Sequence, residues 1–171
     1  MVYNLLVFGF IERRKDYKAV IDAVKDDPSY KLIISGMPRS GDLDLVRELE
    51  QHVETHTNIL LIPTFVPKEA VFPQSDIIII PYSYAFGFSG VIADAISYNK
   101  PFLASDLPVF RDITALYHFK IRVPLSSKNI LDALHSLITD YDRARSELAN
   151  LREIMSWKNV ARKTIEIYQE K

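Results

Sequence analysis

Asp76-Ile77-Ile78-Ile79-Ile80-Pro81 decides the fold, because four consecutive isoleucines that end at a proline predict a short strand buried on both faces. Strands of this kind are typical of a parallel sheet that helices cover on both sides. Apolar residues at helical spacing follow in residues 89–98, and the same alternation of apolar runs and amphipathic segments extends in both directions. The sequence therefore predicts an α/β fold.

The other elements follow from the same pattern. Strands are predicted at residues 5–8, 31–36, 59–62, 102–104 and 119–123. Helices are predicted at residues 16–24, 43–53, 68–72, 109–116, 129–139, 142–155 and 160–169. Because crossovers between parallel strands are right-handed, this series builds a doubly wound parallel sheet of the Rossmann-like type, with helices on both faces. We expect residues 1–171 to form one domain with a helical carboxyl-terminal tail.

The composition limits the classes of function. The chain has 171 residues, 48% of them hydrophobic, a net charge of −1 and no cysteine. A charge this close to zero argues against a nucleic-acid partner, and the lack of cysteine excludes disulfides and thiolate metal sites. No apolar stretch approaches the ~18–20 residues of a membrane span, and the first residues do not form a signal peptide. We therefore expect a soluble, cytoplasmic protein.

The loop at residues 81–91 carries the most informative chemistry. In an open parallel sheet, ligands bind beyond the carboxyl ends of the strands, where the strand order reverses. Ser89 and Gly90 lie where a strand is followed by a helix, so the backbone N–H groups of Gly90 and Val91 are predicted to be free at the positive end of the helix dipole. This pattern indicates a phosphate site. The alternative is that Ser89 only caps its own helix, which is typically worth ~1 kcal/mol.

Two further features are consistent with an anionic ligand, and each has an alternative. Arg13, Arg14 and Lys15 directly precede a helix, where three cations bind an anion or form a solvated basic turn. Asp94 lies four residues after Gly90 on the same helix face. Its carboxylate accepts hydrogen bonds from ribose hydroxyls or only interacts with the helix dipole.

Two more loops at strand ends leave their alternatives open. Gly36 either lets the backbone pass close to another group or supplies a positive φ for a turn, and the turn is the simpler interpretation. Phe65 and Val66, after the strand at 59–62, either pack against a planar base or belong to the ordinary core.

Several segments, taken in this order, resemble retaining glycosyltransferases of family 4 (glycosyl transferases group 1), whose fold is called GT-B. Residues 94–101, Asp-Ala-Ile-Ser-Tyr-Asn-Lys-Pro, resemble the family's Glu-Ala-Met-Ala-x-Gly-x-Pro helix. Residues 9–15 are similar to its Gly-Arg-x-x-x-x-Lys-Gly loop, and residues 76–81 to its Ala-Asp-Val-x-Val-x-Pro strand. Each motif is loose alone, but their common order is specific and the match covers nearly the whole chain.

The resemblance implies that the chain is the carboxyl-terminal, donor-binding domain of such an enzyme. The implied donor-phosphate residues are Arg14, Lys15, Ser89, Gly90 and Val91, the implied ribose-binding residue is Asp94, and the implied base-proximal residues are Gly36, Val66 and Pro67. The implied reaction is transfer of a mannosyl, glucosyl or related sugar from a nucleotide diphosphate sugar, with retention at the anomeric carbon. Neither a cofactor nor a metal ion is expected, because cations take the place of the ion.

Two positions depart from the family's pattern. The first of the family's two glutamates falls on Phe86, which cannot accept a hydrogen bond from a sugar hydroxyl. The family's arginine in the first loop falls on Phe10, which leaves Arg13 or Arg14 to take its place. Contacts to the sugar are therefore in question, whereas phosphate binding is still expected.

The resemblance also implies partners, because residues 1–171 correspond only to the donor-binding half of a GT-B enzyme and the acceptor-binding domain is expected elsewhere. The expected partners are a nucleotide sugar and an acceptor domain in the same or another chain, and any membrane contact is expected through that domain. Apolar residues of the tail (Ile165, Ile167 and Tyr168) are expected to lie exposed or to pack against a second copy in a homodimer. Alone, the chain is expected to transfer nothing. The alternative function is a non-catalytic nucleotide- or phosphate-binding module.

Overall fold

Six strands form one parallel sheet in the computed structural model of the chain, which describes residues 1–169. The strands are β1 (Tyr3–Phe8), β2 (Tyr30–Ser35), β3 (Ile59–Ile62), β4 (Ile77–Ile80), β5 (Phe102–Ser105) and β6 (Lys120–Ile121). Their order in the sheet is β3-β2-β1-β4-β5-β6, and every pairing is parallel. The predicted doubly wound sheet is confirmed, and the strand order reverses between β1 and β4.

Helices cover both faces of this sheet. They are α1 (Tyr17–Val24), α2 (Leu43–Thr55), α3 (Lys68–Val71), α4 (Gly90–Ser97), α5 (Arg111–Thr114), α6 (Ser127–Thr139), α7 (Tyr141–Ile154) and α8 (Trp157–Gln169). α1 packs against α6, and α4 packs against α7. α1 begins where the Asp16 carboxylate accepts a hydrogen bond of 2.9 Å from the N–H of Ala19, a cap worth ~1 kcal/mol. This cap fixes the end of the β1–α1 loop.

The core is centred on β1 and β4, the two central strands. Leu5 pairs with Ile77 and Leu6 with Ile78, and all four isoleucines of β4 are buried. Each such side chain contributes roughly 1.5–3 kcal/mol when it is fully removed from water. Because both faces of these strands are apolar along their middle, polar side chains lie near the strand ends.

Several predicted elements differ in extent from those observed, and for three of them the local cause is visible. The segment 109–116 forms a 3-10 turn at Pro108–Phe110 and then the single turn α5, since a proline at the first position favours a tight, short start. β6 is an edge strand that pairs with β5 over Lys120–Ile121, and Pro124 nearby has no N–H to extend the ladder. α6 begins two residues early because Ser126 caps it by accepting a hydrogen bond from Asn129.

The carboxyl-terminal helix α8 lies at the surface of the fold. No residue of α8 is buried, and Ile165, Ile167 and Tyr168 are all exposed. Packing of these side chains against a second copy of the chain stays a prediction. Among the described residues, no helix has both the length and the apolar character needed to cross a membrane.

Gly36 brings the ends of β1 and β2 into close contact. A Cβ atom at position 36 would lie 2.2 Å from the carbonyl oxygen of Gly9, far inside van der Waals distance. The N–H of Gly9 also donates to the carbonyl of Ser35 at 3.0 Å, which holds the two segments together. A close backbone approach therefore requires glycine here, and the positive φ of Gly36, 157°, adds to that requirement.

Gly36→Ala is expected to lower the free energy of unfolding by about 1–3 kcal/mol or more, because the added methyl group forces two backbone segments apart. Urea denaturation followed by circular dichroism measures this loss. Gly87→Ala is the matched control, since a Cβ atom there meets nothing within 4 Å. Equal losses for the two variants would contradict the argument.

Candidate functional site

A cavity of about 260 Å³ lies at the carboxyl ends of β1 and β4, where the strand order reverses. Its walls come from the β1–α1 loop and from the segment that leads into α4. The six residues predicted to bind phosphate or ribose all line this one cavity: Arg14, Lys15, Ser89, Gly90, Val91 and Asp94. The structure therefore brings them together, and their roles as ligands stay predictions.

The first turn of α4 has unpaired backbone donors at this cavity. Ser89 is the N-cap, and its carbonyl accepts a hydrogen bond of 3.0 Å from the N–H of Ile92. Within residues 1–169, no acceptor pairs with the N–H groups of Gly90 and Val91. Such groups attract an anion, because the helix dipole adds to their positive partial charge.

The side chain of Ser89 does not cap α4. Its Oγ lies 3.1 Å from the hydroxyl of Tyr82, and both groups are buried. In the described part of the chain, α4 has no side-chain hydrogen bond at its N-cap, so the alternative role of Ser89 as a side-chain cap is wrong. Ser89 instead connects the start of α4 to the segment that follows β4.

Lys15 is buried at the base of the β1–α1 loop. Its ammonium group donates to the carbonyl oxygens of Phe8, Gly9 and Phe10 at distances of 2.8, 2.9 and 2.7 Å. Burial lowers the pKa of Lys15 to about 7, yet three acceptors use three donor hydrogens, which only the ammonium form has. Lys15 therefore contributes positive potential to the cavity rather than a free hydrogen-bond donor.

Arg13 and Arg14 have different surroundings. Arg13 pairs with two carboxylates of α2, those of Asp44 and Glu48. Arg14 lines the cavity, and its guanidinium carbon lies 4.2 Å from the centroid of the Tyr82 ring. Of the two arginines left to take the place of Phe10, Arg14 is the one at the site.

Glu12 also lines the cavity, although sequence analysis did not assign it. Its side chain is 7% exposed, and its Oε1 accepts a hydrogen bond of 2.6 Å from Nε of Arg14. Its Oε2 lies 3.6 Å from Nε of Arg39. A buried carboxylate is costly unless it is paired, and these two arginines pair it. The only sign of this residue in the sequence is that one acidic side chain, Glu12, directly precedes three cations at the end of a strand.

Asp94 is held at the edge of the cavity by a lysine. Its Oδ1 accepts a hydrogen bond of 2.5 Å from Lys68, and this bond raises the pKa of the Lys68 ammonium. Across residues 1–169, no donor binds the other carboxylate oxygen, Oδ2. Asp94 therefore has one oxygen available to accept a hydrogen bond.

An adjoining apolar cavity of about 210 Å³ contains two of the three residues predicted near a base. Gly36 and Val66 line it together with Phe65, and Phe10 lines both cavities. Pro67 instead follows Val66 as the N-cap of α3. The two cavities lie side by side, because Gly9 and Phe10 line both.

Phe86 lies on the surface, with 94% of the residue exposed. Its ring contacts that of Tyr84 at a centroid distance of 5.4 Å. A phenyl ring offers no acceptor to a sugar hydroxyl. The position that the resemblance assigns to a carboxylate therefore has no group for that contact.

Two Asp-x-Asp sequences, Asp42-Leu43-Asp44 and Asp140-Tyr141-Asp142, have carboxylates of the type that binds a metal ion. Asp42 and Asp44 both pair with Arg13 at the start of α2, and Asp140 and Asp142 lie at the start of α7. The described residues contain no group of three or more His, Cys, Asp or Glu side chains that could hold a metal ion.

The chain matches the model of a known protein family. The model of the family described as "Glycosyl transferases group 1" matches residues 3–154. None of the curated protein sequences matches the chain significantly.

Solved structures share this fold. Alr3699/HepE of Anabaena in complex with UDP aligns with a TM-score of 0.79 and 16% identity, over 99% of this chain and 49% of that chain. The same protein in complex with UDP-glucose aligns with a TM-score of 0.76 and 18% identity, over 90% of this chain and 43% of that chain. The carboxyl-terminal domain of LpcC, a glycosyl transferase group 1 family protein of Francisella tularensis, aligns with a TM-score of 0.70 and 24% identity, over 89% and 83% of the two chains. The chain thus spans about half the length of HepE, and the predicted fold of a GT-B half is confirmed.

Tyr82→Phe is expected to lower the free energy of unfolding by about 1–3 kcal/mol, because the buried Oγ of Ser89 loses its partner. Thermal and urea unfolding measure the change. Tyr84→Phe removes the same hydroxyl from an exposed ring that makes no side-chain hydrogen bond to any described residue, and is expected to change stability little. If the two variants unfold alike, the contact between Tyr82 and Ser89 does not stabilise the site.

Proposed function

Because the chain belongs to the glycosyl transferases group 1 family, we propose that residues 1–171 form a donor-binding domain that binds a nucleotide diphosphate sugar for sugar transfer. The observation that carries this proposal is the pair of unpaired N–H groups, those of Gly90 and Val91, at a cavity that also contains Arg14. Backbone N–H groups at a helix start and an arginine guanidinium are the donors that phosphate oxygens favour. The solved complexes of HepE with UDP and UDP-glucose support the same ligand class.

The rest of the nucleotide fits the adjoining groups. We assign the ribose hydroxyls to the free Oδ2 of Asp94, one helical turn from Gly90. We assign the planar base to the apolar cavity, where Val66 and the exposed ring of Phe65 offer apolar contact and Gly36 forms part of the wall. Pro67 acts indirectly in this arrangement, by starting the helix whose first residue, Lys68, holds Asp94.

The proposed reaction places negative charge next to these donors. The bond between the anomeric carbon and the diphosphate oxygen breaks and its electron pair stays on the diphosphate. The acceptor hydroxyl oxygen bonds to the anomeric carbon, and its proton passes to the leaving diphosphate oxygen. The N–H groups of Gly90 and Val91 and the Arg14 guanidinium would stabilise the departing diphosphate, a contribution of several kcal/mol in comparable sites. Retention at the anomeric carbon and independence of a metal ion belong to this proposal.

The acceptor is proposed to bind to another domain, in the same or another chain. The chain spans 49% of HepE, so a second domain of similar size accounts for the remainder of such an enzyme. Residues 1–171 alone are then expected to bind the donor without transferring the sugar. Membrane contact, where it occurs, is assigned to that other domain.

Phe86 favours a second candidate, a nucleotide-binding module without catalytic activity. The exposed phenyl ring stands where the resemblance places a carboxylate for the sugar. Incubation of the chain with a nucleotide sugar and a separately produced acceptor domain distinguishes the two functions. Transfer or donor hydrolysis supports the enzyme, whereas binding without turnover supports the module.

A panel of UDP, GDP and ADP at millimolar concentration tests donor binding. A ligand that binds only the folded state stabilises it by RT ln(1 + [L]/Kd), so one nucleotide of the panel is expected to raise the melting temperature. Arg14→Ala is expected to weaken its binding about tenfold or more, since hydrogen bonds to charged groups are worth roughly 1.5–3 kcal/mol. Arg13→Ala is the control and is expected to leave the Kd within about twofold. Failure of all three nucleotides to bind contradicts the proposal.

The affinity for a nucleotide diphosphate sugar is expected to fall as the pH rises above about 7, the pKa of the Lys15 ammonium in the free protein. A nearby diphosphate favours the ammonium form and raises this pKa, so that binding takes up protons, with a slope of at most about tenfold per pH unit. The phosphates of UDP-glucose are esterified and do not titrate in this range. Calorimetry in buffers of different ionisation enthalpy measures the uptake.

The control for this pH dependence is Lys15→Met, an uncharged side chain of similar length that has no titrating group. This variant is expected to bind the donor more weakly but without proton uptake, and with little change in affinity between about pH 6 and pH 9. Proton uptake that persists in Lys15→Met would assign the titration to another group.

A further inference from the structure

Glu12 is a nearly buried carboxylate on the wall of a cavity to which we assign an anionic ligand. Its Oε1 accepts a hydrogen bond of 2.6 Å from Nε of Arg14, and its Oε2 lies 3.6 Å from Nε of Arg39. A negative charge close to a diphosphate opposes its binding. The place of Glu12 is therefore better explained by what it does to its neighbours than by contact with phosphate.

Arg14 is held from two sides. Glu12 binds its Nε, and the ring of Tyr82 lies against the guanidinium at 4.2 Å from the guanidinium carbon to the centroid. No acceptor among residues 1–169 binds its two terminal nitrogens. The guanidinium is thus fixed through one nitrogen while its other two remain available, the pair that binds phosphate oxygens in a bidentate manner.

The same contacts join both sets of anion donors. Tyr82, which supports Arg14, also shares a hydrogen bond with Ser89, the residue directly before Gly90. The loop after β1 is also connected to the segment that follows β4, because the N–H of Ser83 donates to the carbonyl of Arg14 at 2.8 Å. The guanidinium and the N–H groups of α4 are therefore fixed relative to each other before a ligand arrives.

We propose that Glu12 is a positioning residue that orients the Arg14 guanidinium so that its two terminal nitrogens bind the diphosphate of a nucleotide. This inference rests on the proposed function. Preorganisation raises affinity because a long side chain that is already fixed loses little conformational entropy on binding. The Nε of Arg39 lies 3.6 Å from Oε2 of Glu12, beyond normal hydrogen-bond distance. Arg39 therefore forms an ion pair with Glu12 and helps to neutralise its charge.

Two uncharged substitutions of Glu12 separate orientation from charge. Glu12→Gln removes the negative charge but keeps an oxygen that accepts the hydrogen bond from Arg14, whereas Glu12→Ala removes both. Any gain in UDP affinity from removing the negative charge is common to the two variants, so it cancels in the ratio of their dissociation constants. We expect UDP to bind about tenfold more weakly to Glu12→Ala than to Glu12→Gln in isothermal titration calorimetry, as is usual for directly coupled residues.

The same pair of variants in an Arg14→Ala background completes the cycle. If Glu12 acts through Arg14, the tenfold ratio is expected to fall to about one there. A ratio that stays near ten without Arg14 would show that Glu12 acts by another route, and a ratio of one with Arg14 present would show that it acts only as a charge. Either result overturns the inference about Glu12. The proposed function is not affected by these results as long as the unaltered chain binds UDP.

A second readout needs no ligand. In nitrogen-15 NMR spectra, the Nε–H signal of Arg14 is expected to be protected from exchange in the unaltered chain and in Glu12→Gln, and to be lost in Glu12→Ala. Equal exchange in all three chains overturns the inference. If the unaltered chain binds no nucleotide, the proposed function fails together with the role of Arg14 in it, and this outcome is distinct from the two above.

Discussion

One buried ammonium group, that of Lys15, determines the shape of the loop that follows β1. It donates to three successive carbonyl oxygens, those of Phe8, Gly9 and Phe10, and offsets the negative ends of their dipoles beside the cavity. The Gly9 carbonyl oxygen also lies where the Cβ atom of any larger residue at position 36 would be. The same oxygen therefore accepts a hydrogen bond from Lys15 and excludes a side chain at position 36. Because both constraints act at the end of β1, the loop has little freedom to close the cavity next to α4.

Four adjacent charged residues, 12–15, have four different environments. Arg13 binds carboxylates of α2, Lys15 binds backbone carbonyls, and Glu12 binds Arg14. Arg14 alone among the three cations lines the cavity with hydrogen-bond donors that no described residue uses. A ligand therefore meets fewer free cationic groups than the three cations in the sequence suggest. The orientation of the one free group, the Arg14 guanidinium, depends on the carboxylate of Glu12.

Periodicity was sufficient to predict the fold, because strands buried on both faces and helices buried on one produce different apolar spacings. It also predicted the free N–H groups of Gly90 and Val91, since a strand that ends at Pro81 and a helix that starts after Ser89 determine where they lie. It could not distinguish Arg13 from Arg14, whose directions depend on an irregular loop. The contact between Tyr82 and Ser89 spans seven residues, and Glu12 carries the charge opposite to that expected at an anion site, so neither followed from the sequence.

Binding a donor and transferring its sugar place different demands on this site. A catalytic group must interact more strongly with the transition state than with the ground state. Donors next to the diphosphate meet this condition, because negative charge grows on the leaving oxygen as the bond breaks. A carboxylate that binds a sugar hydroxyl mainly orients the sugar, whose hydroxyls gain little charge in that step. The exposed Phe86 therefore removes a positioning contact but leaves the groups that would act on the leaving diphosphate, which is why we place the transferase before the passive module.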